Sequence, residues 1–125
     1  PVGRAVIELP AGLVGDQAGQ ETEGWQLAAA RELEEETGWR AGRFERLTEG
    51  PTTAGLSNET VILARARDLT RVGDGGGGGD ATEQITVHAV PVAEVAGWLA
   101  ERERRGLPPD PKVFAALYFI GAGAP

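Results

Sequence analysis

The spacing of apolar and polar residues predicts three helices. Strong helix formers dominate Trp25–Thr37, and Gly38 follows at the position where a glycine commonly ends a helix. A second amphipathic pattern covers 92–105, and a third helix with an apolar face is expected over 112–120. The proline-rich stretch 108–111 separates the last two helices because proline interrupts helical hydrogen bonding.

Runs rich in β-branched and other apolar residues predict strands between these helices. The expected strands are 5–9, 44–48, 59–66 and 85–92. Glycine-rich and polar stretches predict loops at 12–24, at 50–58 and at the five consecutive glycines 75–79. Helices and strands that alternate along one chain indicate an α/β fold.

Composition narrows the classes of function. The 125 residues carry 19 acidic and 12 basic side chains, a net charge of −7, so a nucleic-acid-binding surface is not expected. Cysteine is absent, which excludes disulfides, thiolate metal sites and a cysteine nucleophile. No uncharged run reaches the roughly 20 residues that a membrane-spanning helix needs. We therefore expect a cytoplasmic protein with no membrane association.

Three glutamates share one face of the first predicted helix. At 100° per residue, Glu32, Glu35 and Glu36 lie within a face about 100° wide, whereas Glu34 lies on the opposite side. Carboxylates three and four positions apart repel one another. The negative end of the helix dipole adds a second penalty. This concentration of charge predicts a positive partner.

A hard divalent cation is the partner that suits such a face. Mg²⁺ binds carboxylate oxygens, waters and substrate phosphates, whereas zinc and copper prefer the histidine and cysteine clusters that this chain lacks. For three glutamates alone, however, a solvated helix face is the commoner explanation. The surrounding residues favour the cation site over the solvated face. They complete a fixed pattern with the three glutamates, and its members are Glu23, Arg31, Leu33 and Gly38.

That pattern resembles the signature of the Nudix hydrolases. It runs Glu-x₇-Arg-Glu-U-x-Glu-Glu-x-Gly-U, where U is a bulky apolar residue and Trp39 fills the last position. The preceding segment 8–12 (Glu-Leu-Pro-Ala-Gly), and segments 54–59, 85–91 and 112–119, are similar to the ADP-ribose pyrophosphatase branch. The resemblance implies a Nudix fold, in which a mixed β-sheet is sandwiched between α-helices (α/β/α). It implies a single Nudix domain over 1–125, without the first strands of the family if the N-terminus is incomplete.

The resemblance also implies roles for individual residues. Glu32, Glu35, Glu36 and the backbone carbonyl of Ala11 would bind Mg²⁺, or alternatively Mn²⁺. Arg31 and Glu23 would pair with each other and orient the carboxylates. Five residues are inserted in the glycine-rich loop between Gly12 and Glu23 relative to the signature. A further acidic residue, Glu83 or in its place Asp80, would position or deprotonate the attacking water.

The substrate implied by the branch is a nucleoside diphosphate-linked small molecule, with ADP-ribose favoured and AMP and ribose 5-phosphate as products. A homodimer is also expected from the resemblance. One alternative keeps the enzyme but changes the substrate to another nucleotide sugar, a dinucleoside polyphosphate or an oxidised nucleotide. A second alternative is a catalytically weak nucleotide-binding module in which the inserted loop has displaced Ala11.

Overall fold

The computed structural model describes residues 3–15, 24–76 and 84–121. These residues form three helices and four strands in the order α1 (Trp25–Thr37), β1 (Trp39–Arg40), β2 (Arg43–Pro51), β3 (Thr60–Arg67), β4 (Thr70–Arg71), α2 (Val95–Arg104) and α3 (Pro111–Phe119). The α/β class predicted from the sequence is confirmed. None of the described helices is long and apolar enough to cross a bilayer.

The residues group into two compact units. One unit is Pro10–Val87, which contains α1 and all four strands. The other unit is Pro1–Leu9 together with His88–Pro125, which contains α2 and α3.

The first unit is built on α1 and two antiparallel strand pairs. Strands β2 and β3 pair along their whole length, with an irregularity between Arg46 and Thr48, and β1 pairs with β4. Helix α1 ends as the sequence predicts, because Gly38 adopts φ 74° and its N–H donates to the carbonyl of Glu34 at 2.9 Å. The left-handed conformation is one that glycine adopts without steric cost.

The second unit packs α2 against α3 through a small apolar core. Leu99, Val113 and Leu117 are buried, and four partly buried residues pack around them: Ile7, Val95, Trp98 and Ile120. The side chain of Asp110 caps α3 by accepting the N–H of Lys112 at 2.7 Å, and Pro111 occupies the first turn. Both features are typical of helix N-termini.

Two predicted strands are wrong within the described residues. The segment 5–9 forms only an isolated parallel bridge, in which Ile7 bonds to the backbone of Pro108 and Asp110. Pro108 has no N–H to donate to the preceding part of the segment, and α3 begins at Pro111, so the ladder cannot extend in either direction. The segment 85–92 forms no strand: residues 85–91 have no regular secondary structure, and no backbone hydrogen bond joins residues 85–90 to another described segment.

Ring contacts are made within each unit by Trp25, His88 and Trp98. The ring of Trp25 meets Phe44 edge-on with centroids 6.4 Å apart. The ring of His88 lies 5.1 Å from that of Trp98, over which the guanidinium of Arg102 also packs at 4.9 Å.

Candidate active site

The acidic face predicted from the helical wheel is present on α1. Glu32 and Glu36 are partly buried, whereas Glu35 is exposed. Glu34 lies apart from this face in a bidentate ion pair with Arg40, at 3.0 Å from Nε and 2.9 Å from Nη2. The hydrogen bonds from Arg40 lower the pKa of the Glu34 carboxyl below its ordinary value. Glu34 is therefore occupied by a structural contact.

The lead-in segment before α1 lies against the same face. The N–H of Ala11 donates to Oε2 of Glu36 at 3.1 Å. A Cβ atom on Gly12 would lie 2.1 Å from Cδ of Glu32, so the chain approaches that carboxylate closely enough to require glycine or a displaced glutamate. The structure thus brings Ala11 and Gly12 together with Glu32 and Glu36, despite the insertion that follows Gly12.

Arg31 organises two of the three carboxylates. Its Nη1 lies 2.5 Å from Oε1 of Glu32 and 3.9 Å from Oε2 of Glu35. Its Nη2 donates to the carbonyl of Leu13 at 3.4 Å. The side chains of Arg31 and Glu32 are only 16% and 13% exposed, so this pair is screened from solvent far better than a surface ion pair.

The repulsion among the three glutamates is partly offset within the protein, which corrects the prediction that this face needs an external cation. Arg31 supplies a positive partner for Glu32 and Glu35 within the protein. One guanidinium against three carboxylates still leaves an excess of negative charge on the face. The self-repulsion of the glutamates is consequently reduced, and by itself it does not require a cation.

The donor set matches a hard divalent cation in chemistry, because it consists of carboxylates beside exposed backbone. The side chains nevertheless point to separate partners, Glu32 to Arg31 and Glu36 to Ala11. Among residues 3–15, 24–76 and 84–121, no three acidic or histidine side chains converge closely enough to hold an ion. Binding would require the carboxylates to turn from these donors toward a common point.

A groove of about 490 Å³ lies beside this face of α1. Its lining contains two arginines and two glutamates, so the charged groups sum to zero and offer no excess positive charge to a diphosphate. The lining residues are Ala30, Arg31, Glu34, Glu35, Arg40 and Ala41.

Part of the chain is similar in sequence to known proteins. The chain is 44% identical over 71 residues to an ADP-ribose pyrophosphatase of Mycobacterium tuberculosis, covering 57% of this chain and 32% of that protein. It is 37% identical over 70 residues to an ADP-ribose pyrophosphatase of Bacillus subtilis, covering 56% and 35%. Over this stretch the chain is related to ADP-ribose pyrophosphatases.

The similarity covers only part of this chain and part of each relative. A methanol dehydrogenase activator of Bacillus methanolicus is also similar, at 32% identity over 71 residues, which cover 57% of this chain and 36% of that protein. The chain spans about a third of the length of the curated relatives it matches. No protein-family model matches the chain.

Not every residue implied by the resemblance to ADP-ribose pyrophosphatases can be placed. Glu23, Asp80 and Glu83 lie outside the described residues, so their roles stay predictions. Ala11, Arg31, Glu32, Glu35 and Glu36 are described, and their contacts bring the lead-in and the carboxylate face together.

Sequence reasoning missed the contribution of Gly12 and Leu13. Both residues touch the acidic face through backbone, Gly12 by close approach to Glu32 and Leu13 by its carbonyl on Arg31. The available signal was the glycine at the end of the lead-in, since glycine is commonly used where the backbone approaches another group closely.

Proposed function

We propose that this chain carries the catalytic helix of a Nudix hydrolase that cleaves the diphosphate of ADP-ribose, or of a related nucleoside diphosphate sugar. The products would be AMP and a sugar phosphate. The observation that supports this proposal most is the docking of the Ala11–Gly12 backbone on Glu36 and Glu32. Relatedness to ADP-ribose pyrophosphatases supports the choice of substrate.

Mg²⁺, or alternatively Mn²⁺, is the proposed cofactor. Glu32, Glu35 and Glu36 would hold it together with the carbonyl of Ala11. When bound, such a cation neutralises diphosphate oxygens and lowers the pKa of a bound water.

The remaining groups would orient the carboxylates and move a proton. Arg31 fixes Glu32 through Nη1 and is itself tied to the lead-in by the carbonyl of Leu13. Glu23 is proposed to pair with Arg31 across the loop. Glu83, or Asp80 in its place, would accept the proton of the water that attacks one phosphorus in line with the leaving phosphate.

The localisation, oligomeric state and partners of the enzyme are part of the same proposal. We expect a cytoplasmic homodimer that binds a nucleoside diphosphate-linked small molecule and has no nucleic-acid or membrane partner. An acidic chain of net charge −7 is consistent with the absence of a nucleic-acid partner.

Product analysis with and without metal tests the proposal. With Mg²⁺, we expect AMP and ribose 5-phosphate from ADP-ribose, and a chelator should abolish turnover reversibly. Another nucleoside diphosphate sugar, a dinucleoside polyphosphate and an oxidised nucleotide form the substrate panel. Turnover of one of these in preference to ADP-ribose would change the substrate assignment.

The nucleotide-binding module is the alternative from a different class. It predicts saturable binding of ADP-ribose, measured by calorimetry, with no AMP released at any metal concentration. Retention of the docked Ala11 argues against the displaced-loop form of this alternative.

A further inference from the structure

The segment Val72–Gly76, which we name the C-terminal strap, crosses the end of α1 that carries Glu36. The N–H groups of Val72 and Gly73 both donate to the carbonyl of Gly38, at 2.9 and 3.2 Å. The N–H of Gly76 donates to the backbone carbonyl of Glu36 at 2.7 Å. The strap therefore binds the last turn of α1 through backbone alone.

The close approach of the strap requires glycine. Gly75 adopts φ 69°, and a Cβ atom there would lie 2.4 Å from the carbonyl carbon of Thr37 and 2.7 Å from the carbonyl oxygen of Glu36. These atoms belong to the helix backbone and cannot move aside as a side chain can. Gly38 is equally close to the strap, since its Cβ atom would lie 2.3 Å from the carbonyl oxygen of Gly73.

These contacts act on the backbone from which the Glu36 side chain projects. The last four carbonyls of a helix have no partner within the helix, and the Glu36 carbonyl is one of them. Gly76 supplies that partner and places a donor at the negative end of the helix dipole. The direction of the Glu36 Cα–Cβ bond is fixed by the same turn.

We propose that the C-terminal strap is a positioning element for Glu36: it fixes the last turn of α1, from which this carboxylate turns between the Ala11 N–H and a divalent cation. The inference rests on the proposed function, because it gives Glu36 the role of a metal ligand. It also explains why the glycine run begins at Gly75, directly at the helix end. Flexibility alone would not require a contact at that point.

Gly75→Ala tests the strap, and Gly106→Ala is the matched control. Both glycines have positive φ, 69° and 81°, but a Cβ atom on Gly106 meets nothing within 4 Å. The two variants thus share the backbone strain, and only Gly75→Ala adds the clash with α1. Circular dichroism first establishes that both variants retain their helices.

Mn²⁺ binding, measured by electron paramagnetic resonance, is the decisive readout because it does not depend on turnover. We expect the dissociation constant to rise about tenfold in Gly75→Ala, as when groups supporting a metal ligand are lost. Gly106→Ala should bind Mn²⁺ as the wild type does. A folded Gly75→Ala protein with wild-type Mn²⁺ affinity would overturn the inference.

Gly76→Ala replaces Gly75→Ala if the latter does not fold. Its φ is 81° and its nearest neighbour is the carbonyl oxygen of Ile85 at 3.6 Å, so it strains the donor to Glu36 without a clash. A weaker Mn²⁺ affinity than in Gly106→Ala supports the strap, and equal affinities contradict it. Absence of Mn²⁺ binding in the wild type would contradict the proposed function, and the strap's role with it.

Discussion

Glu36→Gln is expected to lower kcat for ADP-ribose hydrolysis by roughly 10³-fold, which corresponds to about 4 kcal/mol at 1.36 kcal/mol per decade. Glutamine preserves the size of the side chain, and its amide oxygen can still accept the N–H of Ala11. Only the negative charge is lost. Because a hard cation needs that charge, the loss should fall on catalysis, and release of AMP at saturating Mg²⁺ measures it.

Glu34→Gln is the matched control for this prediction. It makes the same chemical change two positions away, on a carboxylate that pairs with Arg40 outside the acidic face. We expect activity close to that of the wild type. A similar loss of kcat in both variants would assign the effect to the charge of the helix as a whole. If Glu36→Gln were as active as the wild type, Glu36 would have no part in the mechanism.

Arg31→Lys is expected to lower kcat/KM by about 10²-fold, because lysine retains the charge but loses the planar fork. In the structure, one nitrogen of Arg31 serves Glu32 and another serves the carbonyl of Leu13. A lysine ammonium has one nitrogen and does not reproduce the two nitrogens that make these contacts. Glu32 would then lose its fixed orientation, and steady-state kinetics across a range of Mg²⁺ concentrations would show it.

Arg40→Lys provides the control for the arginine. Arg40 also makes a forked contact, but with both oxygens of Glu34, which lies apart from the three face carboxylates. Its replacement should leave kcat/KM nearly unchanged. An Arg31→Lys protein as active as Arg40→Lys would show that Arg31 does not orient the site.

The part of the fold that depends on local sequence was predictable. Helix α1 begins at Trp25 and ends at Thr37, the predicted bounds, and Gly38 takes the left-handed conformation. Strong helix formers and a terminal glycine determine these features within one segment. Strands β2 and β3 were also predicted, although β2 extends over Arg43–Pro51, since β3 pairs with it from one end to the other.

Features that depend on a distant partner were not predictable. The β-rich segment 85–92 has the composition of a strand, but no described segment bonds to its residues 85–90, and composition carries no information about partners. At 5–9, the partner segment is known, and pairing is limited to the bridge at Ile7 because Pro108 has no N–H to donate and α3 begins at Pro111.

The same distinction applies to the candidate site. Periodicity alone grouped Glu32, Glu35 and Glu36 and set Glu34 apart, as the Arg40 ion pair bears out. The strap was missed because a glycine run suggests only flexibility, whereas the close packing of Gly75 on Thr37 appears only in three dimensions. The metal-binding and catalytic roles themselves stay predictions.

Mn²⁺ titration of the wild type beside the triple variant Glu32→Gln, Glu35→Gln and Glu36→Gln tests the central claim most directly. Electron paramagnetic resonance counts free and bound Mn²⁺ without requiring a substrate. The proposed site predicts saturable binding to the wild type, competed by Mg²⁺ and absent from the folded triple variant. Identical binding curves for the two proteins would contradict a metal site on this face of α1.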